Sequence, residues 1–122
     1  MVERVTAPRI RVEILTFENC PNADIARERV LQALEAEALD AAVIEVAVET
    51  AALAQEVRFL GSPSVRVNGR DVESDAEGRN AYGLMCRTYR EGSRLVGSPS
   101  LTVICDALRA ADVQARDVLN LK

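Results

Sequence analysis

The sequence predicts one mixed α/β domain, ordered β-α-β-α-β-β-α around a central mixed four-stranded sheet. Three observations predict it. Residues 10–48 read as strand, helix and strand, which pair as parallel neighbours joined by a helical crossover. Asn68-Gly69, between two short strand-like runs, is the strongest hairpin signal in the chain and adds an antiparallel pair. Leu101, Ile104, Cys105 and Leu108 then recur at helical spacing and close the domain.

Each element has a local reason. Ile10 to Phe17 is rich in β-branched and large apolar residues and supplies the first strand. Glu18-Asn19-Cys20-Pro21-Asn22 turns the chain, and Pro21 suits the first turn of a helix, where a missing N–H costs nothing. Ala23 to Glu37 is made of good helix formers, with Ile25, Val30, Leu31 and Leu34 near a 3.6-residue period. Ala42 to Val48 is apolar except for Glu45, as in a strand covered on both faces. Thr50 is placed to cap a short helix from Ala51 to Phe59, with Leu53, Val57 and Leu60 inward.

Gly61-Ser62-Pro63-Ser64 leads into the hairpin strands Val65–Val67 and Arg70–Glu73, and Ser74 to Asn80 is loop-like. Tyr82 to Tyr89 admits two readings, an added strand or a lid. Leu101 to Ala111 is the last helix, capped by Gly97-Ser98-Pro99-Ser100, and Val113 to Leu121 extends it after a break. The organisation is thus an N-terminal tail (1–9), one domain (10–111) and a C-terminal helical extension (112–122).

Composition narrows the chemistry. A chain of 122 residues supports one core and is too short for two domains. Its net charge of −4 argues against nucleic acid as the main partner, because phosphate binding wants a basic face. Fourteen of the fifteen cations are arginine, a bias read as codon usage. No run is apolar enough to cross a bilayer and the first residues lack a signal-peptide core, so a cytoplasmic location and no membrane partner are expected. Three cysteines, an odd number, fit reduced thiols better than a disulfide framework. Histidine is absent, which excludes Ser–His, Cys–His and H-E-x-x-H chemistries.

Attention therefore falls on the cysteines. A thiol at the start of a helix faces unpaired N–H groups and the positive end of the helix dipole, both of which favour thiolate. Cys20 is so placed, as a nucleophile or soft-metal ligand. Cys86 lies in the Tyr82–Tyr89 segment, which chain order allows to fold over the end of the sheet that carries Cys20. There it is a candidate resolving thiol or second metal ligand, with Arg87 beside it to favour the thiolate; the alternative is packing in an added strand. Cys105 falls on an apolar helical face and reads as core. Asp24, in the first helical turn, complements the dipole or delivers a proton, and Asp71 is a second candidate acid. Glu35 and Glu37 read as a solvated helix face, and Tyr82 and Tyr89 as site-shielding or packing residues.

Cys20-Pro21 after the first strand and Ser62-Pro63-Ser64 before the third resemble the landmarks of the thioredoxin-like superfamily, over roughly Ile10 to Ala111. The chain is most similar to small bacterial thioredoxin-like proteins often labelled alkylmercury lyase-like. Phe17-x-x-Cys20-Pro21-Asn22, Gly61-Ser62-Pro63, Val67-Asn68-Gly69 and Cys86-Arg87-x-Tyr89 carry that likeness. The resemblance implies a thioredoxin-like fold and a cis Pro63 facing Cys20, with the Ser62 backbone free to pair with an extended thiol-bearing substrate. Ala23 stands where redox-active members have a second cysteine, which argues against dithiol cycling within one helix turn.

Four functions follow as expectations. The first is capture of soft metals such as Hg(II) by Cys20 and Cys86, with no resident cofactor required. The second is thiol–disulfide exchange, with a small thiol-reactive substrate or a disulfide-bearing protein as partner. The third is cleavage of an organometallic substrate, as in an organomercurial lyase. The fourth is a non-catalytic binding scaffold.

Overall fold

The computed structural model describes residues 10–120. The tail expected over 1–9, and Leu121 and Lys122 of the extension, lie outside the described residues. The chain forms β1 (Ile10–Thr16), α1 (Ala23–Ala36), β2 (Ala41–Ala47), α2 (Ala51–Glu56), β3 (Ser64–Val67) and β4 (Arg70–Asp71). A 3-10 turn (Ser74–Gly78) follows, then β5 (Tyr89–Glu91), β6 (Arg94–Val96) and α3 (Leu101–Asn120). No helix among the described residues is long and apolar enough to cross a membrane.

The four-stranded sheet has the order β2-β1-β3-β4. β1 runs parallel to β2, with Val12 opposite Val43, and antiparallel to β3, with Ile14 opposite Val65. The fold is therefore a mixed α/β domain with a mixed sheet. Asn68 and Gly69 join β3 to β4 with φ of 51° and 82°, the double positive φ that a tight two-residue hairpin needs. Asn68 also binds β1: its N–H donates to the Arg11 carbonyl, and its side-chain oxygen accepts from the Arg11 N–H at 2.8 Å.

Strand alternation splits β1 between two cores. Ile10, Val12 and Ile14 face a large cluster with Val30, Ala33, Leu34, Val65, Val67, Ile104 and Leu108, which packs α1 and α3 on one face of the sheet. Leu15 faces the other way, into a smaller cluster with Val48, Ala54 and Phe59 under α2. Glu37, at the end of α1, accepts from Arg109 Nε of α3 at 2.9 Å, so only Glu35 of that pair sits on a solvated face.

Several expected details change. The inward stripe of α1 is Ala26, Val30, Ala33 and Leu34, whereas Ile25 and Leu31 are exposed. β2 is an edge strand, and most of its residues are half-buried rather than covered on both faces. Thr50 does cap α2, its hydroxyl accepting from Leu53 N–H at 3.0 Å. The helix nevertheless ends at Glu56, because Arg58 turns to a φ of 56° and Phe59 drops into the smaller core. Leu53 and Val57 are only partly buried against that core. β4 stops after two residues, since Asp71 and Glu73 are diverted to an ion-pair cluster.

The break expected after Ala111 is absent. No glycine or proline interrupts α3, and Arg116 pairs with Asp112 across one helical turn. Ser100 caps this helix as expected, its hydroxyl accepting from Val103 N–H at 3.1 Å. The β5–β6 hairpin was not foreseen. Its sequence signal is Gly92-Ser93 flanked by short runs of strand-compatible residues.

Candidate functional site

Cys20 lies in the turn between β1 and α1, two residues before the helix N-cap. Its carbonyl accepts from Ala23 N–H at 3.3 Å, and Asn22, the N-cap, makes no side-chain cap. Asn22 instead packs against the loop before α3. A Cβ on Gly97 would lie 2.2 Å from Asn22 Nδ2, so a larger residue there would have to displace the Asn22 side chain. Arg29, midway along α1, donates to the Ser98 hydroxyl and to the Pro99 carbonyl at 2.9 Å, which ties that helix to the loop. Cys20 is half-buried, Cys86 is exposed and Cys105 is buried, and none of the three is in a disulfide. Burial, then the neighbouring Glu37 carboxylate, pushes the Cys105 thiol up, as suits an inert core residue.

The Ser62-Pro63 peptide bond is cis, and both residues are buried. The Ser62 hydroxyl accepts from Phe17 N–H at 3.3 Å, at the entrance to the Cys20 turn. The Ser62 backbone is not open to an incoming strand, contrary to expectation. Its N–H donates to the Met85 carbonyl at 2.8 Å and its carbonyl accepts from Arg87 N–H at 3.0 Å. These two bonds make a parallel bridge between Ser62, which is buried, and Cys86, which is exposed. One serine thus links the two thiol-bearing segments.

The Tyr82–Thr88 segment is a pinned strap, irregular apart from that bridge, which runs into β5 at Tyr89. Gln55 donates to the Tyr82 carbonyl at 2.9 Å, and Gly83 N–H donates to the Phe59 carbonyl at 3.0 Å. The strap's deepest anchor is Arg87, whose side chain is only 2% exposed. Its guanidinium grips Asp71 with two bonds, of 2.6 and 2.8 Å, and reaches Glu73 at 3.1 Å and the Ser64 hydroxyl at 3.0 Å. It also stacks 4.5 Å from the centre of the Tyr89 ring, and the Tyr89 hydroxyl donates to the Pro63 carbonyl at 2.5 Å.

Burial pulls the Arg87 guanidinium downward, but hydrogen bonds and attraction from the carboxylates outweigh it and hold the cation well above its ordinary range. Burial likewise pushes the Tyr89 hydroxyl up. Arg87 was expected beside the Cys86 thiol. Successive residues of an extended segment point to opposite sides, so Cys86 faces out while Arg87 faces in and is neutralised by Asp71 and Glu73.

Asp24 is exposed on α1 and paired with Arg27, which also holds Glu45 of β2. Asp71 is committed to Arg87. Cys86, Pro63 and the Cys20 turn therefore gather around Ser62, and Asp24 takes no part in those contacts. Among the described residues no group of three or more His, Cys, Asp or Glu side chains is arranged to hold a metal. Ser62 and Arg87 were expected at the site in other roles, whereas the Ser62 hydroxyl contact, the Ser64 hydroxyl and the burial of Arg87 carry no local signal in the sequence.

Gly61 tests how tightly the strap is seated. Its φ is 121°, and a Cβ there would lie 3.0 Å from both Arg87 Cβ and the Met85 carbonyl. Gly61→Ala is expected to destabilise the fold by about 1–3 kcal/mol, from backbone strain and overpacking together. Urea unfolding measures the loss, and faster amide exchange at Ser62 and Arg87 locates it; unchanged exchange at those two amides would mean the contact is soft.

No protein-family model, curated protein or solved structure matches this chain.

Proposed function

We propose that this chain is a thioredoxin-like thiol protein in which Cys20, together with Cys86, captures a soft electrophile such as Hg(II) or the sulfur of a disulfide. The observation that carries the reading is the double use of Ser62, whose hydroxyl binds the start of the Cys20 turn while its backbone pairs with the Cys86 segment. The sheet order β2-β1-β3-β4 and the cis Pro63 after α2 agree with the resemblance drawn from the sequence.

Two thiolates suffice for linear coordination of a soft metal, which is cargo here and not a resident cofactor. In exchange, the Cys20 thiolate attacks one sulfur of a substrate disulfide and expels the first substrate thiolate. Cys86 then attacks the Cys20 sulfur and expels the second. The products are a reduced substrate and a Cys20–Cys86 disulfide. A reducing compartment such as the cytoplasm would supply the thiols ready for use. Capture is favoured over carbon–mercury cleavage by a specific observation: both candidate proton donors, Asp24 and Asp71, are ion-paired to arginines.

Intact mass spectrometry with one equivalent of Hg(II), in the presence of a competing monothiol, tests the reading. The wild-type protein is expected to retain one metal. Cys20→Ser and Cys86→Ser should each weaken retention by about a hundredfold or more, the gain a second tethered ligand provides. Equal retention by Cys20→Ser would remove the proposal.

A further inference from the structure

Two clefts on the strap side of the sheet share Leu60 and Arg79 as walls. One, of about 370 Å³, holds Cys86 between Arg79, Asn80 and Thr88. The other, of about 570 Å³, is lined by Arg58, Arg66 and Arg70, with Val57, Ala76 and Tyr82 providing apolar surface. Both volumes fall in the range of small-molecule sites.

The charge in these clefts is unlike that of the whole chain. Five guanidiniums (Arg58, Arg66, Arg70, Arg79 and Arg87) meet only three carboxylates, Asp71, Glu73 and Glu77. Arg70 pairs with Glu77, while Arg79 and Arg87 share one oxygen of Glu73. Among the described residues, Arg58 and Arg66 form no ion pair. Arg66 donates to the Val57 and Arg58 carbonyls, which leaves its positive charge uncompensated. In a protein of net charge −4 this is a local positive field beside an exposed thiol. Arg87 lines the Cys86 cleft but turns its guanidinium inward to Asp71 and Glu73, so the charge open to a ligand is that of Arg58 and Arg66, with Arg79 on the wall between the two clefts.

We infer that the joined clefts are a binding site for a small organic anion, and that the substrate delivered to Cys86 is a carboxylate-bearing low-molecular-weight disulfide. The inference rests on the thiol reading and names a substrate class for it, with Cys86 in place of Cys20 as the first nucleophile toward that substrate. The Cys86 thiolate attacks one sulfur of the ligand disulfide. The sulfur–sulfur bond breaks, a mixed disulfide forms on Cys86, and the other half leaves as a thiolate. The arginines hold the ligand carboxylates by charge-assisted bonds.

The Cys20→Ser protein isolates this chemistry. Its rate of mixed-disulfide formation at Cys86, followed by mass spectrometry, is compared for dianionic dithiodipropionate and dicationic cystamine, each normalised to its reaction with mercaptoethanol. The anionic reagent is expected to react about tenfold faster at low salt, the sum of a few partly exposed ion pairs. Arg58→Gln combined with Arg79→Gln should bring the two rates together. Octanedioate, the sulfur-free counterpart, should slow alkylation of Cys86 by neutral iodoacetamide. Equal rates for the two disulfides in the parent protein, or a preference unmoved by the arginine changes, would overturn the inference. Either failure leaves Hg(II) retention by wild-type protein untouched, so the two readings fail separately.

Discussion

Arg87→Met is expected to lower the stability of the domain by about 3 kcal/mol, the size of effect seen when one partner of a buried ion pair is removed. Methionine preserves much of the packing over Tyr89 but leaves Asp71 and Glu73, 11% and 19% exposed, facing each other without a cation. The Ser64 hydroxyl loses its donor as well. Urea unfolding measures the change as a lower midpoint at constant slope. A double-mutant cycle identifies the cause: with Asp71→Leu already present, Arg87→Met should cost clearly less. A shift below about 0.5 kcal/mol, the range of ordinary surface substitutions, would mean that the carboxylates find water and the strap is held by its backbone bonds alone.

Phe59→Ala is expected to cost about 3–5 kcal/mol, as for other aromatic truncations in closed cores. Phe59 is 0% exposed and fills the smaller core with Leu15, Val48 and Ala54. α2 has only six residues, too few to be helical without tertiary contacts, so its place depends on this side chain. The Phe59 carbonyl also receives the Gly83 N–H, which couples the small core to the strap. Amide exchange should therefore quicken in α2 and at Gly83 and Arg87 before it quickens in α1 or α3. Leu108→Ala, in the large core, provides the contrast, with a similar loss of stability but exchange spread over α1 and α3. Uniform loss of protection in both variants would show that the two cores unfold as one unit.

The order of β1 to β4 with α1, α2 and α3 is legible in the sequence, because hydrophobic period, turn chemistry and caps are local, although the β5–β6 hairpin is not. Ile10–Thr16, Ala23–Ala36 and the Asn68-Gly69 turn were all legible in that way, as were the caps at Thr50 and Ser100. It also marked Cys20, Pro63 and Cys86 as the residues on which a thiol site would depend. Reach and burial were not legible. Nothing local stops α2 at Glu56 or breaks α3 near Ala111, and nothing local tells that β2 lies at an edge with Ile25 and Leu31 left outside.

Long-range packing turns Arg87 inward and Cys86 outward, and it fills the Ser62 backbone with the chain's own strap. The physical reason is distance along the chain. An arginine can be buried only where carboxylates from elsewhere neutralise it, and Asp71 and Glu73 lie 16 and 14 residues from Arg87. The backbone partners of Ser62 likewise come from more than twenty residues downstream. Such pairings exist only after the sheet has set the β3–β4 hairpin beside the returning strap.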